Sequence, residues 1–142
     1  MMKYIVLYSS RTGLTKRIAR SIADALPAGT PCLPVLQAPA DIASYDCLFL
    51  GCWMHADEPD QIADEVLHQI RNSHLALFVS LHGTLFSDTI AKKLHHIVEK
   101  LPDGIAIEGT FITSMEEDMI SSDANLEFAK TFAENTLDRL ER

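Results

Sequence analysis

The amino-acid sequence predicts an α/β fold in which a doubly wound, five-stranded parallel sheet in the order 2-1-3-4-5 carries helices on both faces. Short apolar runs rich in β-branched residues, typical of buried parallel strands, alternate with segments whose apolar residues recur at helical spacing. The chain has 142 residues, 47% of them hydrophobic, and no repeat, low-complexity tract or linker interrupts the alternation. We therefore expect one domain covering residues 1–142.

The predicted strands are apolar runs bounded by turn or loop residues. They comprise Lys3–Ser9, the weaker Pro31–Leu36, Asp46–Cys52, Leu75–Leu81 and Ile105–Thr113. The predicted helices lie between and after these strands and carry an apolar stripe. They comprise Gly13–Leu26, a helix from Pro59 with Ile62, Val66 and Ile70, one from a cap at Ser87 to Leu101, and one after Asp123 with Phe128, Phe132, Leu137 and Leu140, besides a short helix or turn at Asp41–Tyr45.

The predicted strand order also locates a candidate site. In doubly wound sheets a ligand binds outside the carboxyl ends of the strands, at the point where the strand order switches. The loops after the first, third, fourth and fifth predicted strands meet at this edge. These loops are therefore the places in which to look for functional residues.

The net charge of the chain is −8, from 12 basic and 20 acidic residues. A protein that binds the nucleic-acid backbone needs clustered Lys and Arg, so this balance argues against a nucleic-acid partner. The charge is unevenly spread, because residues 1–51 contain five basic and three acidic side chains whereas residues 52–142 contain seven and seventeen. The acidic character therefore begins near the end of the third predicted strand.

The cysteine pattern and the N-terminus bear on the cellular compartment. Cys32, Cys47 and Cys52 are odd in number and contain no CxxC pair, which argues against a disulfide framework or a structural zinc site. No spacing of histidines and carboxylates indicates another metal site. The N-terminal apolar stretch, Tyr4–Tyr8, is too short for a signal peptide, and no run approaches the length of a membrane span. We expect a cytoplasmic protein without a membrane span.

The loop after the first predicted strand reads Ser9-Ser10-Arg11-Thr12-Gly13-Leu14-Thr15 and leads directly into a helix. A helix N-terminus has unpaired amides and a partial positive charge, so it favours a phosphate group. Ser10, Thr12 and Thr15 would add hydroxyl donors, and Gly13 lets the backbone approach a ligand closely. Ordinary capping accounts for one hydroxyl but not three. The loop matches neither GxxxxGK[ST] nor GxGxxG, which argues against nucleoside triphosphates and dinucleotides.

The segment YSSRTGLTKRIA, residues 8–19, resembles the phosphate-binding loop of the flavodoxin family, which carries the same S/T-x-T-G-x-T pattern after its first strand. Element order and length extend the resemblance over essentially the whole chain. The uninterrupted run Ile105–Thr113 is similar to the short-chain members. The resemblance implies FMN as cofactor. Its phosphate would be held by Ser10, Thr12, Gly13 and Thr15 and by the amides of Arg11 and Leu14.

By the same resemblance, the flavin ring would contact the loops after the third and fourth predicted strands. These loops supply Cys52, Trp53, Met54, His55 and Ala56, and then Leu81, His82 and Gly83. Trp53 offers a planar apolar face at the end of a strand, with a partly buried core position as the alternative. Ala56 stands where flavodoxins often have a glycine whose peptide flips on flavin reduction. Leu81 and His82 replace a stacking tyrosine, and His82 either contacts the flavin or is a solvated loop residue.

Two acidic loops fall at the same edge of the predicted sheet as the flavin. They contain Asp57, Glu58, Asp60, Glu116, Glu117 and Asp118. Solvation of a surface loop accounts for such charge without any function. As a functional feature, the charge would oppose formation of an anionic reduced flavin and steer a basic partner toward the exposed ring.

These expectations favour an FMN-binding electron carrier that passes electrons to or from a partner oxidoreductase with a basic docking face. No pattern in these loops resembles a general acid or base paired with a substrate pocket. Two alternatives stay open. One is an FMN oxidoreductase that acts directly on a quinone or tetrapyrrole, with Trp53, Met54 and His82 lining a substrate face. The other is a cofactor-free interaction module, because a fold does not fix a function.

Overall fold

A six-stranded sheet organises the described part of the chain, and five of its strands are parallel. The computed structural model describes residues 2–9, 13–55, 58–59, 67–68, 70–81, 88–114 and 123–141. The parallel strands are β1 (Tyr4–Tyr8), β2 (Cys32–Pro34), β3 (Cys47–His55), β4 (His74–Leu81) and β5 (Ala106–Ser114). Their order across the sheet is β2-β1-β3-β4-β5, which confirms the predicted topology. A two-residue strand, Glu58–Pro59, pairs antiparallel with the end of β3.

Three long helices lie within the described residues, together with two short 3₁₀ turns at Val35–Gln37 and Ile42–Ser44. The helices are α1 (Leu14–Ala25), α2 (Asp88–Glu99) and α3 (Asp123–Leu140). The predicted helix after Pro59 lies mostly outside the described residues, although Leu67 and Ile70 are described and both are buried. None of the helices in the described part of the chain is long and apolar enough to cross a bilayer.

The hydrophobic core consists of two layers, one on each face of the sheet, because successive side chains of a strand point to opposite faces. The first layer joins Val6, Phe49 and Phe78 of the sheet to Ile18 and Ile22 of α1 and to Ala129 and Ala133 of α3. The second layer joins Ile5, Leu7, Leu50, Leu77 and Val79 of the sheet to Ile97 of α2. Helices therefore cover both faces, and the carboxyl edge of the sheet is left as the place where loops meet.

The third strand is longer than the sequence predicts. The apolar run ends at Cys52, and a loop is expected from Met54 onward. In the structure β3 continues to His55, because Met54 pairs in parallel with Leu81 of β4 and antiparallel with Pro59. Backbone pairing on both sides extends a strand through residues whose side chains do not indicate one. The loop expected after β3 is therefore shorter than predicted.

The prediction that Phe128 belongs to the buried stripe of the last helix is wrong, because 61% of its surface is exposed. A buried stripe of this helix contains Ala129, Ala133 and Thr136, at spacings of four and three residues. The prediction that Phe132 packs inward is confirmed, since its ring centroid lies 6.0 Å from that of Phe49 in an edge-to-face contact. Ala129 and Ala133 share a core layer with Ile18 and Ile22 of α1, and their small side chains allow the two helices to approach closely, which hydrophobicity alone does not reveal.

Candidate functional site

Both ends of the loop between β1 and α1 are held in defined positions. The amide of Ser9, which directly follows β1, donates a hydrogen bond to the carbonyl of Gly51 on β3 at 3.0 Å. Ser9 is buried. At the other end Gly13 precedes α1 with φ 87° and ψ −10°, a left-handed conformation that favours glycine. The predicted ligands Ser10, Arg11 and Thr12 lie between these ends, outside the described residues.

The N-terminus of α1 opens at the carboxyl edge of the sheet with positive character. Gly13 has no side chain with which to cap the amides of the first turn, and residues 14–17 include no acidic group. Lys16 and Arg17 are exposed in that turn, and Arg20 is exposed one turn further on. The helix dipole adds partial positive charge at the same end. This donor set fits the phosphate of a mononucleotide, which accepts hydrogen bonds and carries negative charge.

Thr15 and Ser80 form a buried hydroxyl pair directly beneath this helix end. Their side-chain oxygens are 2.5 Å apart, and each residue is only 1% exposed. Thr15 is the second residue of α1, and Ser80 is the last but one residue of β4. The bond therefore fastens the start of the helix to the carboxyl edge of the sheet. The sequence pattern indicates Thr15 but not Ser80. The only signal for Ser80 is a polar residue inside the apolar run LALFVSL.

Thr113 of β5 lies in register with Ser80, which in turn lies in register with Trp53 of β3. These three positions form a row across the sheet near its carboxyl edge. The Thr113 hydroxyl oxygen is buried and has no hydrogen-bond partner among the described residues. Buried hydroxyl groups usually find a partner, so an orphaned one beside a candidate ligand site is notable. No sequence motif indicates Thr113.

The residues predicted to contact a flavin ring are placed only in part. Trp53, Met54 and His55 occupy the last three positions of β3, and Leu81 is the last residue of β4. The Cys52 side chain is buried in the core layer that faces α2, which leaves only its backbone for contact with a ligand. Ala56, His82 and Gly83 lie outside the described residues.

The acidic loops are also placed only in part. Glu58 belongs to the two-residue strand beside β3. Asp57, Asp60, Glu116, Glu117 and Asp118 fall outside the described residues. The effect of their charge on a flavin remains a prediction from the sequence.

A doubly wound parallel sheet in the order 2-1-3-4-5, with the loop after its first strand at the strand-order switch, is the architecture of flavodoxin-like proteins. The flavodoxin-domain family matches residues 5–139, and the chain belongs to this family. β5 runs without interruption through Ser114, as the resemblance to short-chain members predicts.

A curated relative and two solved structures resemble the chain over most of its length. The flavodoxin-like domain-containing protein BilS of Clostridioides difficile is 33% identical over 114 residues, which make up 78% of this chain and 65% of that protein. The chain thus matches just under two thirds of the length of that relative. Rubredoxin oxygen:oxidoreductase of Desulfovibrio gigas is 17% identical with a TM-score of 0.73, over 98% of this chain and 36% of that one.

A flavoprotein of Lactobacillus acidophilus, solved in complex with FMN, is 18% identical with a TM-score of 0.62, over 79% of this chain and 93% of that one. At these identities, the two structural likenesses concern the fold.

Proposed function

We propose that this chain is an electron carrier that uses bound FMN to pass electrons to or from a partner oxidoreductase. FMN is the cofactor that membership of the flavodoxin family assigns to the chain. The observation that carries the proposal is the N-terminus of α1, which opens on Gly13 at the carboxyl edge of the sheet with exposed basic residues and no acidic one. The FMN complex of the Lactobacillus acidophilus flavoprotein, which has the same fold, supports the choice of cofactor.

The chain's own residues divide the work of binding. The first-turn amides of α1 and the hydroxyls of Ser10, Thr12 and Thr15 hold the phosphate. Residues at two strand ends flank the ring: Cys52, Trp53, Met54 and His55 at the end of β3 with Ala56 after it, and Leu81 at the end of β4 with His82 and Gly83 after it. The ring, when bound, supplies the electron chemistry, and the protein supplies orientation and electrostatics.

The partner is an oxidoreductase with a basic docking face, because the loops at the ring edge are rich in Asp and Glu. The region of the Desulfovibrio gigas oxidoreductase that resembles this protein makes up 36% of the oxidoreductase chain. That precedent supports pairing this fold with a larger redox protein.

All three cysteines lie in the described part of the chain and none forms a disulfide, which supports a cytoplasmic location.

Replacing Thr12 by alanine is expected to weaken FMN binding about tenfold while changing riboflavin binding by less than about twofold. The reason is that riboflavin lacks the phosphate that the Thr12 hydroxyl would contact. Quenching of flavin fluorescence on titration with the apoprotein gives both dissociation constants. Thr30→Ala is the matched control, because the Thr30 hydroxyl donates to the carbonyl of Pro27 at 2.6 Å, in a turn that precedes β2. Equal losses for both flavins in Thr12→Ala would contradict the phosphate site.

The isolated, FMN-loaded chain is expected to show no sustained oxidation of NAD(P)H with a quinone as acceptor, because an electron carrier needs a partner reductase. Steady-state absorbance at the nicotinamide band measures this directly. The fully reduced, FMN-loaded chain should still hand its electrons to an added one-electron acceptor in a single turnover. Sustained turnover by the chain alone would contradict the carrier proposal and favour an FMN oxidoreductase that acts on a quinone or tetrapyrrole. Absence of any bound flavin would instead favour a cofactor-free interaction module.

A further inference from the structure

The hydroxyl pair of Thr15 and Ser80 is short and closed to solvent. A separation of 2.5 Å is at the short end for hydrogen-bonded hydroxyls, and both residues are almost completely buried. Water therefore does not compete for either group. The direction in which each hydroxyl donates is decided by the neighbouring protein groups and by whatever binds at the helix end.

The hydrogen bond between these two hydroxyl groups can run in either of two directions. A hydroxyl donates one proton and accepts up to two. In the first arrangement Thr15 donates to Ser80, which uses the only proton that Thr15 has. In the second arrangement Ser80 donates to Thr15, and the Thr15 proton is left for a group at the N-terminus of α1. A phosphate accepts hydrogen bonds, so its presence selects the second arrangement.

Thr113 is a third buried hydroxyl beside this pair. It lies directly across from Ser80 in the β4–β5 register, and register partners in a parallel sheet point to the same face. Its buried oxygen has no partner among the described residues, so its proton has no assigned acceptor. The structure shows no hydrogen bond from the Thr113 hydroxyl to Ser80, so the direction of the pair depends on Ser80, on Thr15 and on the group bound at the helix end. Hydroxyls that all donate in one direction polarise one another and strengthen the last donor.

We propose that Ser80 is a positioning residue for the phosphate of FMN. The Ser80 hydroxyl donates a hydrogen bond to Thr15, so that the Thr15 hydroxyl donates its own proton to the phosphate. The inference rests on the proposed function, since it assumes that a phosphate binds at the N-terminus of α1. It adds a residue that is 65 positions away from Thr15 in the chain. Ser80 itself does not contact the phosphate and acts only through Thr15.

The variant Ser80→Ala tests the proposal through two dissociation constants. FMN affinity is expected to fall about fivefold, the size of one ordinary hydrogen bond, while riboflavin affinity changes by less than about twofold. A purely structural role would weaken both flavins alike. Ser21→Ala is the matched control, because Ser21 is also a buried serine but lies within α1. This control is expected to leave the ratio of the two affinities unchanged.

A double-variant cycle tests whether Ser80 acts through Thr15. Thr15→Val is expected to lower the preference for FMN over riboflavin, and adding Ser80→Ala to it should lower the preference no further. Independent, additive losses would overturn the proposal. Inorganic phosphate serves as a second probe, and its binding is measured as the rise in melting temperature of the apoprotein. This rise is expected to be smaller in Thr15→Val and in Ser80→Ala than in the wild type, and the double variant should lose no more of it than Thr15→Val. Should Ser80→Ala fail to fold, Ser80→Cys keeps a weak donor of similar size and is expected to retain an intermediate preference.

The two failures are distinguishable. A wild-type chain that binds FMN no more tightly than riboflavin would overturn the phosphate site itself, and this inference with it. A wild-type chain that prefers FMN, together with a Ser80→Ala variant that keeps the full preference, would overturn only the positioning role of Ser80.

Discussion

Replacement of Gly51 by alanine is expected to lower the free energy of unfolding by about 3 kcal/mol, at the upper end for overpacking a core. A Cβ atom at this position of β3 would lie 2.0 Å from Cε2 and 2.3 Å from Cζ of Phe78. The ring cannot withdraw, because Phe78 is 1% exposed and packs within the core layer beneath α1 and α3. Either the ring or the strand must therefore move.

Urea unfolding of the wild type and of Gly51→Ala measures the loss. Gly109→Ala is the matched control on β5, since its Cβ would lie 3.0 Å from Phe132 Cε1 and 3.2 Å from Arg139 Nη2. These are ends of side chains that can shift, so less than about 1 kcal/mol is expected there. Phe78→Leu should make room for the new methyl group, so the double variant should lose less than the sum of the two single ones. A Gly51→Ala loss no larger than that of Gly109→Ala would contradict the clash.

The protein is expected to lose stability steeply as the pH rises from about 9 to about 12, by up to about 4 kcal/mol. Burial, followed by the negative charges of Glu108 and Asp46, raises the pKa of the Cys47 thiol from 9.0 to about 12. In this range the unfolded chain releases the thiol proton and the folded chain keeps it, so rising pH favours unfolding. The pKa of Tyr4 is also raised, first by burial and then by Glu141, and acts in the same direction.

Urea unfolding at a series of pH values from about 8 to about 11 checks this expectation. Cys47→Ala should show a flatter decline than the wild type, because the variant has no thiol at this position to titrate. Val35→Ala is the control for the loss of buried volume, since Val35 is buried and does not titrate. That control should keep the slope of the wild type while being less stable at every pH. A Cys47→Ala variant with the slope of the wild type would remove the thiol as the cause.

The sheet and the start of the site could be predicted because their signals are local. Buried strands such as β1 and β4 consist of nearly continuous apolar runs, and one polar residue within such a run does not obscure the strand pattern. Gly13 could be selected because a glycine between a strand and a helix commonly marks a tight backbone turn, and its φ of 87° confirms the left-handed conformation. The topology then follows from the alternation of strands and helices.

Features that depend on distant partners could not be predicted. The extension of β3 to His55 depends on pairing with residues of β4 and with Pro59. In the sequence Ser80 is only a polar residue within an apolar strand, and its role becomes visible when the fold places Thr15 within hydrogen-bond distance of it. Phe128 is exposed because its helix buries a stripe of small residues, Ala129 and Ala133, instead. In each case the deciding contact lies elsewhere in the chain or depends on side-chain size.

The bond between Thr15 and Ser80 also has a consequence for how the protein is made. A growing chain emerges from the ribosome with α1 long before β4, so the helix can form while its anchor has not yet been synthesised. The hydroxyl pair closes only after Ser80 has been added and β4 has docked beside β3. If the proposed phosphate site is correct, a ligand held through Thr15 would stabilise only chains whose central strands are already assembled, and its binding would report on the completion of folding.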